Sequence, residues 1–281
     1  MDDFLRLCRR LGQLEELAQA GGGNISVKIS DTISIIKSSG VSLSDVTRDK
    51  GYTLYDHATL AANLDVPLTS VVVTGPAPSL ETYFHCFLKR IVVHLHPTTM
   101  LPALCKPGVV NAIPYRKPGI ELAKEIKSAW GGWQVILLQN HGMIATGDTV
   151  DEVLDLCART YDLYRTERYI PLKTFWSMQD EFPDSYVYKV CPAETVAYIP
   201  ILQKRNVRNL TPDIALFLHN AVHIEGPYLF VVGPSKAKCL SILEVLRSYC
   251  EIVDECETAL REMDVAEILH WPAELKRKTI H

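Results

Sequence analysis

The chain has 281 residues, 47% of them apolar and 22% charged, with a net charge of −4. That length suffices for one large domain, or for a medium domain with a smaller appendage. The slightly acidic balance and the lack of a basic run argue against nucleic acid or an anionic membrane as partner, and no apolar run approaches a membrane span.

The opening stretch MDDFLRLCRRLGQLEELAQA sets leucines at helical spacing and predicts an amphipathic helix from about Asp2 to Leu17. It has no continuous apolar segment of the kind a secretory signal needs, so a soluble cytoplasmic protein is expected. The glycines of AGGGN end that helix. NISVKISDTISIIKSSG then alternates apolar and polar residues on both sides of Ser30-Asp31, the pattern of a β-hairpin. SVVVTG reads as a strand, SLETYFHCFLKR as a helix, IVVHLH as a strand and TTMLPALCK as a short helix. A helix follows from about Pro118 to Trp130, with proline in its first turn. WQVILLQNHGMIATG gives two short strands meeting near Asn140-His141, and DTVDEVLDLCARTYDLYRTERYI a long helix capped by Asp148 or Thr149. Residues 1–170 thus form a mixed α/β domain. Residues 171–190 carry two prolines and no clean period, and read as a linker. Residues 191–281 read as a smaller α/β subdomain. It has helices in CPAETVAYIPILQK and TPDIALFLH, a hairpin turned at Gly226-Pro227, and a long helix from Lys236. The 8 cysteines include no CxxC pair and fit small core residues of a reduced compartment.

The chemistry concentrates in a few short stretches. In RIVVHLHPTTM, His94 and His96 stand two apart on a strand and project from the same face, with Leu95 turned away. Two such imidazoles can grip one metal ion, or can be ordinary partly buried histidines. His141 lies where an apolar strand meets Gly142, and Glu81 lies in PSLETYFH. Three neutral imidazoles and a carboxylate suit zinc in a roughly tetrahedral site. Glu81 near a helix start could instead complement the helix dipole, and His141 could be a turn residue. His85, one helical turn after Glu81, ranks below the others as a ligand because nothing pairs with it at strand spacing. GGGN (Gly21–Asn24) and KSSG (Lys37–Gly40) flank the hairpin and should meet in space. Their backbone amides, hydroxyls and lysine would make a phosphate cradle.

GGGNISVKI, IKSSGV, PSLETYFH, VVHLHP and QNHGMIATG, in this order and at these spacings, resemble the class II aldolase/adducin family over about residues 5 to 170. The likeness is greatest to the sugar-phosphate aldolases, in particular to the aldolase half of bifunctional rhamnulose-1-phosphate aldolase/dehydrogenases. The tail LHWPAELKRK is also similar to the end of that half, and no counterpart of the dehydrogenase half is found. The resemblance implies a three-layer α/β/α fold with a central, largely antiparallel sheet. It implies zinc on His94, His96 and His141, with Mn2+ or Co2+ as alternative ions. Glu81 matches the residue that is both a ligand before substrate binds and the catalytic acid/base. Gly23, Asn24, Ser39, Gly40 and Ser79 match phosphate-binding positions. The implied reaction is reversible cleavage of a ketose 1-phosphate to dihydroxyacetone phosphate and a short aldehyde, in a homotetramer with active sites at subunit interfaces. Two departures stand out. Leu80 replaces the second serine of fuculose-phosphate aldolases, and Tyr115 does not match their catalytic tyrosine. A sugar-acid phosphate decarboxylase keeps the same groups. Pentulose-phosphate 4-epimerases typically carry aspartate at position 81, and an adducin-like interaction module lacks the histidines.

Overall fold

The structure, a computed structural model, describes residues 1–106, 108–165, 169–203 and 221–255. The chain divides into two compact units, Met1–Lys173 and Thr174–His281.

The first unit opens with helix α1 (Asp2–Gly12), followed by strands β1 (Asn24–Lys28) and β2 (Ile33–Lys37). These pair antiparallel, Val27 opposite Ile35, so the alternating stretch does form the expected hairpin. Then come β3 (Tyr52–Asp56), α2 (His57–Ala62), α3 (Leu68–Val71), β4 (Val72–Thr74) and the single turn α4 (Thr82–His85). Next are β5 (Ile91–Leu95), α5 (Leu101–Leu104), β6 (Ala112–Ile113), α6 (Ile120–Ala129), β7 (Val135–Leu138), β8 (Gly142–Gly147) and α7 (Val150–Tyr164). The strands form one sheet in the order β4-β3-β2-β1-β5-β8-β7-β6. Every neighbouring pair is antiparallel except β6 and β7. On one face α1 packs on β1, and α7 on β5 and β8. On the other, Leu60, Leu68, Phe84, Leu122 and Ile126 from the remaining helices close over Ile36, Tyr55, Val92, Ile136 and Ile144 of the sheet. This is the expected three-layer α/β/α arrangement. Each such buried side chain contributes roughly 1.5–3 kcal/mol, so the core does not depend on the site at its edge.

Three local expectations change, and one stretch carries none. The first helix ends at Gly12, not Leu17, because Gly12 packs backbone to backbone against the Leu43–Asp45 turn. A Cβ there would lie 2.6 Å from the Ser44 amide nitrogen. SLETYFHCFLKR is helical only over Thr82–His85, since the chain must turn after buried Leu88 to enter β5. The strand Tyr52–Asp56 and the helices after it carry no clear sequence signal, and they extend the sheet beyond β2. The stretch 171–190 is no linker. It holds α8 (Leu172–Glu181) and β9 (Tyr186–Lys189), and β9 pairs with a strand of the second unit.

In that unit, α9 (Pro192–Gln203) precedes β10 (Val222–Glu225) and β11 (Tyr228–Gly233), a hairpin turned at Gly226-Pro227 as expected. Gly226 has φ +56°, a left-handed turn conformation that glycine adopts without strain. β11 lies between β10 and β9, and a helix at Lys236–Glu255 packs on this sheet through Cys239, Ile242, Leu243 and Leu246. The predicted helix in TPDIALFLH and the tail LHWPAELKRK fall outside the described residues. Cys8, Cys86, Cys157, Cys239 and Cys250 are buried as expected of core residues, while Cys105 and Cys191 are exposed. Among the described residues no helix is long and apolar enough to cross a membrane.

Candidate functional site

Strand register brings the site together. β1 runs antiparallel to both β2 and β5, so the start of β1 lies beside the ends of the other two, with Asn24 directly opposite His94. β8 begins at Gly142 on the far side of β5, which sets His141 at the same end of the sheet. α4 crosses this end and carries Glu81 at its N-terminus.

His94, His96, His141 and Glu81 form a cluster whose ligand atoms all lie within 4.8 Å of one another. Nε2 of His94 and Nε2 of His141 each stand 3.1 Å from Glu81 Oε1. Nε2 of His96 is 2.9 Å from Nε2 of His94 and 3.2 Å from that of His141. His94 Nδ1 is 3.0 Å from the Met143 carbonyl, which can only accept, so Nδ1 carries a proton and Nε2 is the nitrogen turned into the cluster, toward Glu81. Burial, reinforced by His94 and opposed by Glu81, lowers the His96 pKa to about 3, so His96 presents a neutral ring. Three imidazole nitrogens and a carboxylate oxygen thus converge on one point. The donor set therefore fits a divalent metal.

Glu81 is 6% exposed. Burial alone would raise its pKa, but the charge of His94 and hydrogen bonds from His141 and His94 outweigh it and hold the carboxyl well below the usual range. Asn24 Nδ2 donates to Glu81 Oε2 at 2.5 Å and to Ser79 Oγ at 3.3 Å. The Asn24 carbonyl oxygen, Oδ1, is buried without a partner among the described residues, an acceptor still open to a ligand hydroxyl.

The hairpin loops converge beside this cluster. Gly23 and Gly40 have φ near +72° and +73°, which only glycine adopts freely. A Cβ on Gly21 would lie 3.1 Å from the Gly40 Cα, so the two loops touch backbone to backbone. The Ser39 amide donates to Ala77 O at 3.0 Å, joining this loop to the segment that leads to Ser79. Gly23, Asn24, Ser39, Gly40 and Ser79 thus gather at one end of the sheet, and the hairpin pattern anticipates this for Asn24 and Ser39-Gly40. Gly22 packs against the cluster itself, since a Cβ there would lie 2.8 Å from His96 Nδ1. Gly22→Ala is expected to push the His96 ring aside and weaken metal binding by about tenfold, within the range for groups that orient ligands. A metal titration checks this.

Residues 2–166 match the family described as Class II Aldolase and Adducin N-terminal domain. The chain belongs to the class II aldolase/adducin family. A 3-oxo-tetronate 4-phosphate decarboxylase of Haemophilus influenzae is 25% identical over 187 residues, 57% of this chain and 80% of that protein. The N-terminal class II aldolase domain of a conserved Thermoplasma acidophilum protein superposes with TM-score 0.50 at 27% identity, covering 55% of this chain and 86% of that one. An L-fuculose-1-phosphate aldolase from Thermus thermophilus gives TM-score 0.42 at 19% identity, covering 64% and 96%. Within this aldolase/adducin domain, two features escape a reading of the sequence alone. His85 is fully buried, and its Nδ1 is 2.7 Å from Ser26 Oγ, which ties α4 to β1 and keeps this histidine out of the cluster. Lys37 does not face the cradle as a free donor, because its ammonium donates to three backbone carbonyls. Asn24 and Ser26 share one strand face with Ile25 turned to the other, and that spacing is the available signal for Ser26.

Proposed function

We propose that this chain is a divalent-metal-dependent carbon–carbon lyase, an aldolase that reversibly cleaves a rhamnulose- or fuculose-like ketose 1-phosphate to dihydroxyacetone phosphate and a short aldehyde. The supporting observation is a buried carboxylate, Glu81, set between the histidine cluster and Asn24 at the edge of a glycine-rich cradle. His94, His96 and His141 would hold a divalent ion such as Zn2+, which when bound would supply positive charge against negative charge developing on a substrate oxygen. Ser39, Gly40 and Ser79 hold the phosphate, with Gly23 giving the backbone its turn and Asn24 reaching toward both the phosphate and Glu81. That fixes the reacting carbon beside Glu81. Glu81 takes and returns the proton at this carbon. The protein works as a homotetramer on a small phosphorylated sugar, with no nucleic acid or membrane partner.

A second reading is favoured by the likeness to the 3-oxo-tetronate 4-phosphate decarboxylase. Loss of CO2 from a 3-oxo acid leaves an enediolate, and protonation at the same carbon yields dihydroxyacetone phosphate. Glu81 and the cradle would do the same work in both reactions. Incubation with divalent metal, dihydroxyacetone phosphate and a panel of aldehydes, lactaldehyde included, should yield ketose 1-phosphate. A parallel reaction with 3-oxo-tetronate 4-phosphate, followed for CO2, discriminates the two. Release of CO2 without any aldol product would replace the aldolase reading by the decarboxylase.

A further inference from the structure

Lys37 ends β2 and is 1% exposed. Its stem runs under the hairpin loops rather than toward solvent. The ammonium donates to Gly21 O at 2.9 Å, to Val41 O at 2.7 Å and to Ser38 O at 3.3 Å. An ammonium has three protons and no acceptor, so these three carbonyls fill its hydrogen-bonding capacity. Gly21 belongs to the loop before β1, whereas Ser38 and Val41 belong to the loop after β2. These are the loops that meet where Gly21 touches Gly40.

We propose that Lys37 is a positioning residue, a buried cationic strut that locks the Gly21–Asn24 and Ser38–Val41 loops into an anion cradle without itself touching the anion.

The inference rests on the reading of these loops as a phosphate site. Two physical points support it. Carbonyl oxygens of loops that must present amides to an anion would otherwise repel that anion, and Lys37 turns three of them inward onto itself. A cation fixed just beneath the cradle also favours negative charge above it, in surroundings where water screens little. Burial lowers the Lys37 pKa to about 8, against the opposing influence of Cys8 and Glu81, so it remains largely charged at neutral pH. Glycine suits the loops because backbone, not side chain, must reach the strut and the ligand. Gly40 has open space on its Cβ side, where a ligand can approach.

The test titrates the unaltered protein and Lys37→Met with inorganic phosphate at fixed pH and salt. It also measures amide hydrogen exchange of residues 19–24 and 38–43 without ligand. Lys37→Met should weaken phosphate binding about tenfold or more, the usual effect of losing a hydrogen-bonded charge. It should also speed exchange in both loops. Unchanged phosphate affinity would overturn the proposal. Weaker phosphate binding with unchanged exchange in both loops would make Lys37 a direct phosphate ligand and would also overturn it. If Lys37→Met does not fold, Lys37→Arg serves. Its planar guanidinium keeps the charge but cannot point three donors at these three carbonyls. The same two changes are then expected, and wild-type behaviour in both measurements would refute the strut. Absence of phosphate binding by the unaltered protein would instead refute the cradle reading, and the inference with it.

Discussion

Glu81→Gln should lower turnover by roughly two to four orders of magnitude, the usual worth of a positioned acid/base. The substitution keeps the shape of the side chain and an oxygen that can still accept from Asn24 Nδ2. It removes the carboxylate that His94 and His141 hold anionic. Phosphate affinity should stay within a few-fold of wild type, because Asn24, Ser39 and Ser79 are untouched. The expected signature is therefore a fall in kcat with KM nearly constant, read from the rate of ketose 1-phosphate formation. A variant with wild-type kcat would assign the proton transfer to another group.

The second large effect concerns the metal. Purified protein should hold about one divalent ion per chain, as a three-histidine site with an added carboxylate implies. The His94→Ala/His96→Ala double variant should lose it outright. Two of the three imidazole nitrogens vanish, and His141 with Glu81 cannot hold a catalytic ion alone. The fold should survive, because the apolar layers on both sheet faces form independently of this edge. Elemental analysis with a thermal melt separates the two outcomes. Since His96 stays neutral well into the acid range, metal uptake near neutral pH needs no proton released from it. Full metal content in the double variant would remove the histidines from the site.

Much of this site is legible in the amino-acid sequence, for a definite reason. A strand alternates its faces strictly, so His94 and His96 have to point the same way, and a hairpin has to bring GGGN near KSSG. The register that sets Asn24 against His94 joins strands distant in sequence and is seen only in the fold. What is not legible depends on long-range closure. YTLYD carries only a short alternation, and its place beyond β2 is fixed by pairing with β2 across the irregular connection of residues 38–51. The stretch 171–190 looks irregular because α8 and β9 are short and separated by a proline-containing turn, yet β9 is ordered by β11 some 40 residues later. Lys37 misleads for a related reason. A lysine in a glycine- and serine-rich loop suggests a free cation, and only the packed loops reveal three carbonyls around its head.

Deuterium exchange into dihydroxyacetone phosphate tests the central claim most directly, because it needs neither an aldehyde nor a carboxylated substrate. The account places Glu81 beside the carbon that loses its proton, with the phosphate held in the Asn24–Ser39–Ser79 cradle. The unaltered protein, supplied with a divalent metal in deuterated water, should exchange a single hydroxymethyl hydrogen stereospecifically. Glu81→Gln should not. Absence of exchange in the unaltered protein at saturating dihydroxyacetone phosphate would contradict the account, and exchange at the wild-type rate in Glu81→Gln would contradict the role given to Glu81.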